Sequence, residues 1–129
     1  MKLLAALTFL LVADDVREEL LGRWVGESRC TAVRKKCRDE VASYRISRSE
    51  AGGEIVTVSL NKMVGEEESV MSVLDFTVDA QKRTLRAEYK RDASLHLLWE
   101  FAWEGKRMKG TLTELPGGDV IRHIVVTKE

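Results

Sequence analysis

The 129-residue chain has no surplus of charge. Lysine and arginine total 21, and aspartate and glutamate total 21. A balanced chain exerts no general pull on nucleic acid or on an anionic membrane. Histidine occurs only at His96 and His123, too far apart in sequence to form a metal-spaced pair. No Gly-x-Ser-x-Gly stretch is present, so no nucleophile elbow is expected. No phosphate-cradling glycine loop is present either. A general base needs a partner and a pocket, and both histidines fall in β-patterned segments where a surface position is the simpler reading. The expectation is therefore a protein that is not an enzyme and that uses no metal or cofactor. The chain also lacks an apolar run of the roughly 20 residues that a membrane-spanning helix needs.

Hydrophobic residues make up 44% and charged residues 33%, an ordinary globular balance for one domain. The first residues stand apart. Lys2 precedes an apolar run from Leu3 to Ala13, and Asp14 and Asp15 follow. That order describes a secretory signal peptide over residues 1–13. The expected destination is the periplasm or the outside of a bacterial cell, with residues 14–129 as the mature domain. No cysteine ends the run, which argues against a lipid anchor.

Two cysteines remain, Cys30 and Cys37. In an oxidising compartment an even pair reads as one disulfide. Such a short ring is worth about 2.5 kcal/mol in the loop-entropy model. Metal binding and two free thiols are the competing readings, but structural zinc wants four ligands and no second pair lies nearby.

Residues 14–21 predict one short helix. Asp14 or Asp15 caps it, Val16, Leu20 and Leu21 share its apolar face, and Gly22 ends it. Beyond Gly22 the period becomes two. Eight segments follow: 23–30, 39–48, 54–64, 69–78, 84–91, 94–104, 107–115 and 120–127. Their inward faces include Trp24, Gly26 and Ser28, then Ala42, Tyr44 and Ile46, then Val56, Val58 and Leu60. The sixth segment carries the longest stripe, Leu95, Leu97, Trp99, Phe101 and Trp103. Turns fall at Gly52 and Gly53, at Gly65, at Gly105 and at Pro116 to Asp119.

Short connections favour antiparallel neighbours. No helical pattern after residue 22 could cover a second sheet face. Closing the sheet buries one face and leaves no open edge. The predicted fold is all-β, an eight-stranded antiparallel up-and-down barrel with a short N-terminal helix. A β-sandwich is the alternative.

Gly22, Arg23 and Trp24 open the first strand after that helix. A Gly-x-Trp entry followed by an eight-stranded meander resembles the small bacterial lipocalin-like proteins of the calycin superfamily. The resemblance implies that Trp24 sits at the closed end of the barrel. It also implies that a basic residue of the last strand packs across Trp24, and Arg122 is the match. It implies a small hydrophobic ligand in the interior.

Three clusters have both a plain and a functional reading. Glu66, Glu67 and Glu68 read as a solvated hairpin tip, with a cation site as the rival. Arg29, Arg34, Lys35, Lys36 and Arg38 surround the cysteine ring. They read either as a solubilising loop or as a docking loop for a protein partner, with Arg34, Lys35 and Lys36 at its tip. The aromatics read either as plain core or as a cavity lining. The expected ligand-binding set is Trp99, Phe101, Trp103, Tyr44, Phe76 and Tyr89, with Tyr44 and Ser28 as polar anchors. The alternative function is an extracytoplasmic inhibitor or interaction module that docks through residues 29–38.

Overall fold

A computed structural model describes residues 16–129. The expected signal peptide and the capping residues Asp14 and Asp15 lie outside the described residues. Among the described residues helical geometry covers 16–18 and a turn follows, so the helix stops short of the expected residue 21. Leu20 and Leu21 donate from their amides to the carbonyls of Arg17 and Glu18 at 3.1 Å, three residues back. Among the described residues no helix is long and apolar enough to cross a membrane.

Eight strands follow: β1 (Gly22–Cys30), β2 (Glu40–Arg48), β3 (Ile55–Val64), β4 (Glu67–Asp79), β5 (Thr84–Asp92), β6 (Leu95–Glu104), β7 (Arg107–Glu114) and β8 (Asp119–Lys128). Each pairs antiparallel with its neighbour in sequence, and β8 returns to β1. The sheet closes into one up-and-down barrel, so the sandwich alternative is not the fold.

Period-two alternation puts Trp24, Tyr44, Leu60, Phe76, Leu85, Phe101, Met108 and Ile124 inside, all buried. Each large apolar side chain so removed from water contributes ~1.5–3 kcal/mol. Two inward glycines let bulk fit. A Cβ on Gly110 would lie 2.2 Å from Phe101 Cδ1, and one on Gly26 would lie 2.0 Å from the Val125 carbonyl oxygen.

One end of the barrel is plugged. Leu20 is fully buried there, and its carbonyl accepts from Trp24 Nε1 at 2.8 Å. Lys128 Nζ donates to the Glu19 carbonyl at 2.9 Å. The β8 residue opposite Trp24 is Lys128, while Arg122 pairs with Cys30 at the far end of β1. The expected contact between Arg122 and Trp24 is therefore replaced. Six residues of extended strand separate the two β8 positions, about 20 Å of chain.

The wall is uneven. The β3–β4 ladder runs from Ile55↔Thr77 to Val64↔Glu67, whereas β4 and β5 pair only at Thr77↔Arg86, Val78↔Leu85 and Asp79↔Thr84. Above Thr77 the two strands part. Irregular register occurs at Leu60/Asn61 in the β3–β4 ladder, at Lys90/Asp92 in β5–β6 and at Leu112/Thr113 in β7–β8.

Candidate functional site

The end opposite Trp24 holds a cavity of about 280 Å³. Its apolar wall is Leu60, Leu97, Trp99, Leu112 and Ile121. Its polar wall is Ser28, Glu40, Tyr44 and Arg122. Two of the irregular ladders border it. The bulge on β4 brings both Met71 and Ser72 to the lining, and the bulge on β8 brings both Ile121 and Arg122. An extra residue re-aims the side chains around it, so two consecutive residues reach one space.

Arg122 organises the polar wall. Its Nη1 donates to the Ser28 carbonyl at 3.2 Å and to Ser28 Oγ at 3.1 Å. Its Nη2 donates to the Arg38 carbonyl at 3.0 Å and pairs with Glu40 Oε1 at 2.7 Å. Both members of the ion pair are mostly shielded, with side-chain exposures of 15% and 17%. The guanidinium is thus neutralised and its forks occupied.

Tyr44 is buried beside this pair. Burial pushes its phenol pKa up, and the Glu40 charge adds to the shift. Arg122 and a hydrogen bond with Ser28 pull the other way without reversing it. The hydroxyl is therefore neutral at any physiological pH and can donate or accept.

Of the residues expected to bind, Tyr44 and Trp99 line this cavity. Phe101 and Phe76 lie in the packed layer next to it. The Phe101 ring centroid is 6.0 Å from Tyr44, 5.9 Å from Phe76 and 6.3 Å from Trp99. Trp103 is at the plugged end, where its Nε1 donates to Glu19 Oε2 at 3.3 Å. Tyr89 is half-buried and does not line the cavity. Gly22 opens β1 beside the Lys128 stem.

Glu40 escaped the sequence reading, although it shares the strand face of Ala42 and Tyr44. Arg122 was read as structural, yet it shares a face with Ile124 and Val126 and ends inside the cavity. Their alternation carried the signal, but a charged residue on an inward face reads as a strand end until its partner is known.

The cysteines are joined. Cys30 and Cys37 form a disulfide with Cα atoms 5.9 Å apart. Arg34 reaches back to Glu114, and Asp39 Oδ1 accepts from the Cys30 amide at 2.8 Å. Lys35, Lys36 and Arg38 are exposed.

The acidic triplet divides. Glu66 and Glu67 are exposed, as a hairpin tip would be. Glu68 instead enters a polar cluster on the outer wall. It accepts from Ser43 Oγ and from Arg45 Nε, the latter at 2.9 Å. Ser43 in turn accepts from Arg23 Nε at 2.9 Å. Hydrogen bonds from Ser43, then Arg45 and Asn61, hold the Glu68 pKa down to about 2 against the opposing effect of burial. Among the described residues no group of three or more ligating side chains could hold a metal ion.

The fold defines the class, an eight-stranded antiparallel up-and-down β-barrel consistent with a calycin-like fold. No family model and no curated protein matches the sequence.

Proposed function

We propose that the protein is an exported lipocalin-like barrel that binds a small hydrophobic molecule in this cavity and catalyses no reaction. The supporting observation is one cavity with an apolar wall on one side and the Tyr44, Ser28, Arg122 and Glu40 group on the other. An apolar pocket with a few placed polar groups is the usual form of a small-molecule site. The volume of about 280 Å³ falls just below the ~300–1,000 Å³ range of drug-sized sites, which limits the ligand to a small one. The disulfide fits export to the periplasm or beyond, where such bonds persist.

The polar wall also selects the ligand's head. Glu40 already neutralises Arg122. A ligand carboxylate would meet Glu40 as a like charge at short range. A neutral hydroxyl or carbonyl would instead bond to Tyr44 and Ser28.

Isothermal titration with decanol and with decanoate tests this reading. Saturable binding of the alcohol, with weaker binding of the carboxylate, is expected. Leu97→Trp, which fills the cavity from a half-buried position, should abolish the heat. Tyr44→Phe should weaken binding about fivefold, the worth of one hydrogen bond. Binding that persists unchanged in Leu97→Trp would reject the cavity as the site.

A second reading rests on the basic loop. The disulfide and the Arg34–Glu114 pair pin residues 29–38 while Lys35 and Lys36 stay exposed. A pinned loop loses less entropy on docking, as an inhibitor or interaction module requires. On this reading, Lys35→Glu with Lys36→Glu removes an acidic protein partner and leaves decanol binding intact.

A further inference from the structure

The edge of β4 that faces β5 is unpaired above Thr77, as is the facing edge of β5 beyond Arg86. Val78 donates its amide to the Glu54 carbonyl at 2.7 Å, toward β3. Backbone groups alternate sides along a strand, so those of Thr77, Asp75 and Val73 turn toward β5. Thr77 finds Arg86 there, and the ladder then stops. Asp75 and Val73 present an N–H and a C=O to the slit instead of to a strand. Along the same stretch Val70, Met71 and Val73 are 61%, 55% and 59% exposed. A free strand edge with apolar side chains is a template for another strand.

We propose that the upper part of β4 is a strand-addition site. It takes an extended segment of another protein that is apolar at alternate positions and carries lysine or arginine at its ends. Charge selects this occupant. Glu66 and Glu67 stand exposed at the top of the edge and Asp75 at its lower limit. Basic ends on the incoming segment would face these carboxylates. A second copy is disfavoured by the same residues. Two antiparallel β4 edges would set Glu66 and Glu67 of one chain toward Asp75 of the other, and opposed like charges destabilise a pair. The acidic flanks thus block self-pairing while leaving the apolar middle open to a basic guest. The edge adjoins the cavity at Met71, which lines it, while Val70 and Val73 lie outside its lining.

The test uses the peptide Lys-Val-Thr-Val-Thr-Val-Lys and the same peptide with alternate backbone nitrogens methylated. The protein alone should sediment as a monomer. Titration with the unmodified peptide should shift the backbone amide resonances of Val73 and Asp75 and should protect them from hydrogen exchange. The methylated peptide, which cannot complete the ladder, should bind at least tenfold more weakly. Glu66→Lys with Glu67→Lys, both on an exposed tip, should weaken the unmodified peptide about tenfold at low salt without changing the near-ultraviolet spectrum. Absence of peptide binding, equal binding of the methylated form, or a concentration-dependent dimer of the protein alone would each overturn the proposal.

Discussion

Glu68 shows how one carboxylate acquires a structural role that its neighbours lack. Glu66 and Glu67 remain in water, while Glu68 accepts from Ser43 and Arg45 and its pKa falls to about 2. An unfolded glutamate titrates near ~4.3. The folded value lies below the unfolded one, so the stabilisation is complete above pH ~4.3 and is lost as pH falls toward about 2. Glu68→Gln should lower stability at pH 7 by about 2 kcal/mol, the worth of hydrogen bonds to a charged group. Urea unfolding across pH should show the variant and the parent converging below pH ~2. A gap of constant size at every pH would contradict this. Arg122 and Glu40 form the other coupled pair. Arg122→Met leaves Glu40 and two carbonyls without their donor and should cost ~3 kcal/mol. Adding Glu40→Leu should restore most of that, which a double-mutant cycle by chemical denaturation reads directly.

At the scale of strands, β1 and β8 meet more closely than any side chain at Gly26 would allow. Its Cβ would fall 2.0 Å from the Val125 carbonyl and 2.7 Å from Val126 Cα, and both are backbone atoms. Gly26→Ala must therefore spread two strands, at about 2–3 kcal/mol. Calorimetry should show a fall of about 10 °C in Tm. Gly110→Ala meets the Phe101 ring as well as the Glu100 carbonyl. The ring can move part of the way, so the loss should be smaller when Phe101→Leu is made alongside. The loop joining β1 and β2 is held by its own bond. Cys30→Ala with Cys37→Ala should cost about 2.5 kcal/mol in the loop-entropy model, measured as a shift in urea midpoint.

For the whole molecule, the barrel is a closed ring with one weak seam. The β4–β5 ladder stops after Thr77↔Arg86, while the ladders on either side continue. Local opening draws on the least bonded part of a structure. Amides of Val73 and Asp75 and of Glu88 and Lys90 should exchange with deuterium fastest among strand residues. Those of β3 and β7 should be slowest. Uniform protection around the ring would show that the seam carries no weakness. The seam also borders both proposed sites, since Met71 and Ser72 of the unpaired stretch line the cavity. Ligand binding uses the inner lining around Tyr44 and Trp99, while strand addition uses the edge of β4 that faces β5.

Period-two alternation after Gly22 determined the all-β class, the eight strands, the inward aromatics and the turns between them. Those features depend on local chemistry: a pleated strand sends neighbouring residues to opposite faces, and glycine marks the reversals. The cysteine spacing likewise announced the disulfide that forms. Tertiary structure alone decided the rest. The bulges at Met71 and Ile121 insert one residue each and leave no mark in an alternating pattern, yet they bring Met71 and Ile121 to the cavity beside Ser72 and Arg122. Lys128 rather than Arg122 faces Trp24 because register depends on how far β8 runs before it meets β1. Glu40 and Arg122 are distant in sequence, and Glu68 and Ser43 likewise, so each pair became visible only once the ring had closed. The β4–β5 ladder stops at Thr77↔Arg86 although both strands run on, and neither segment's alternation marks that limit, because pairing depends on where two strands meet in space.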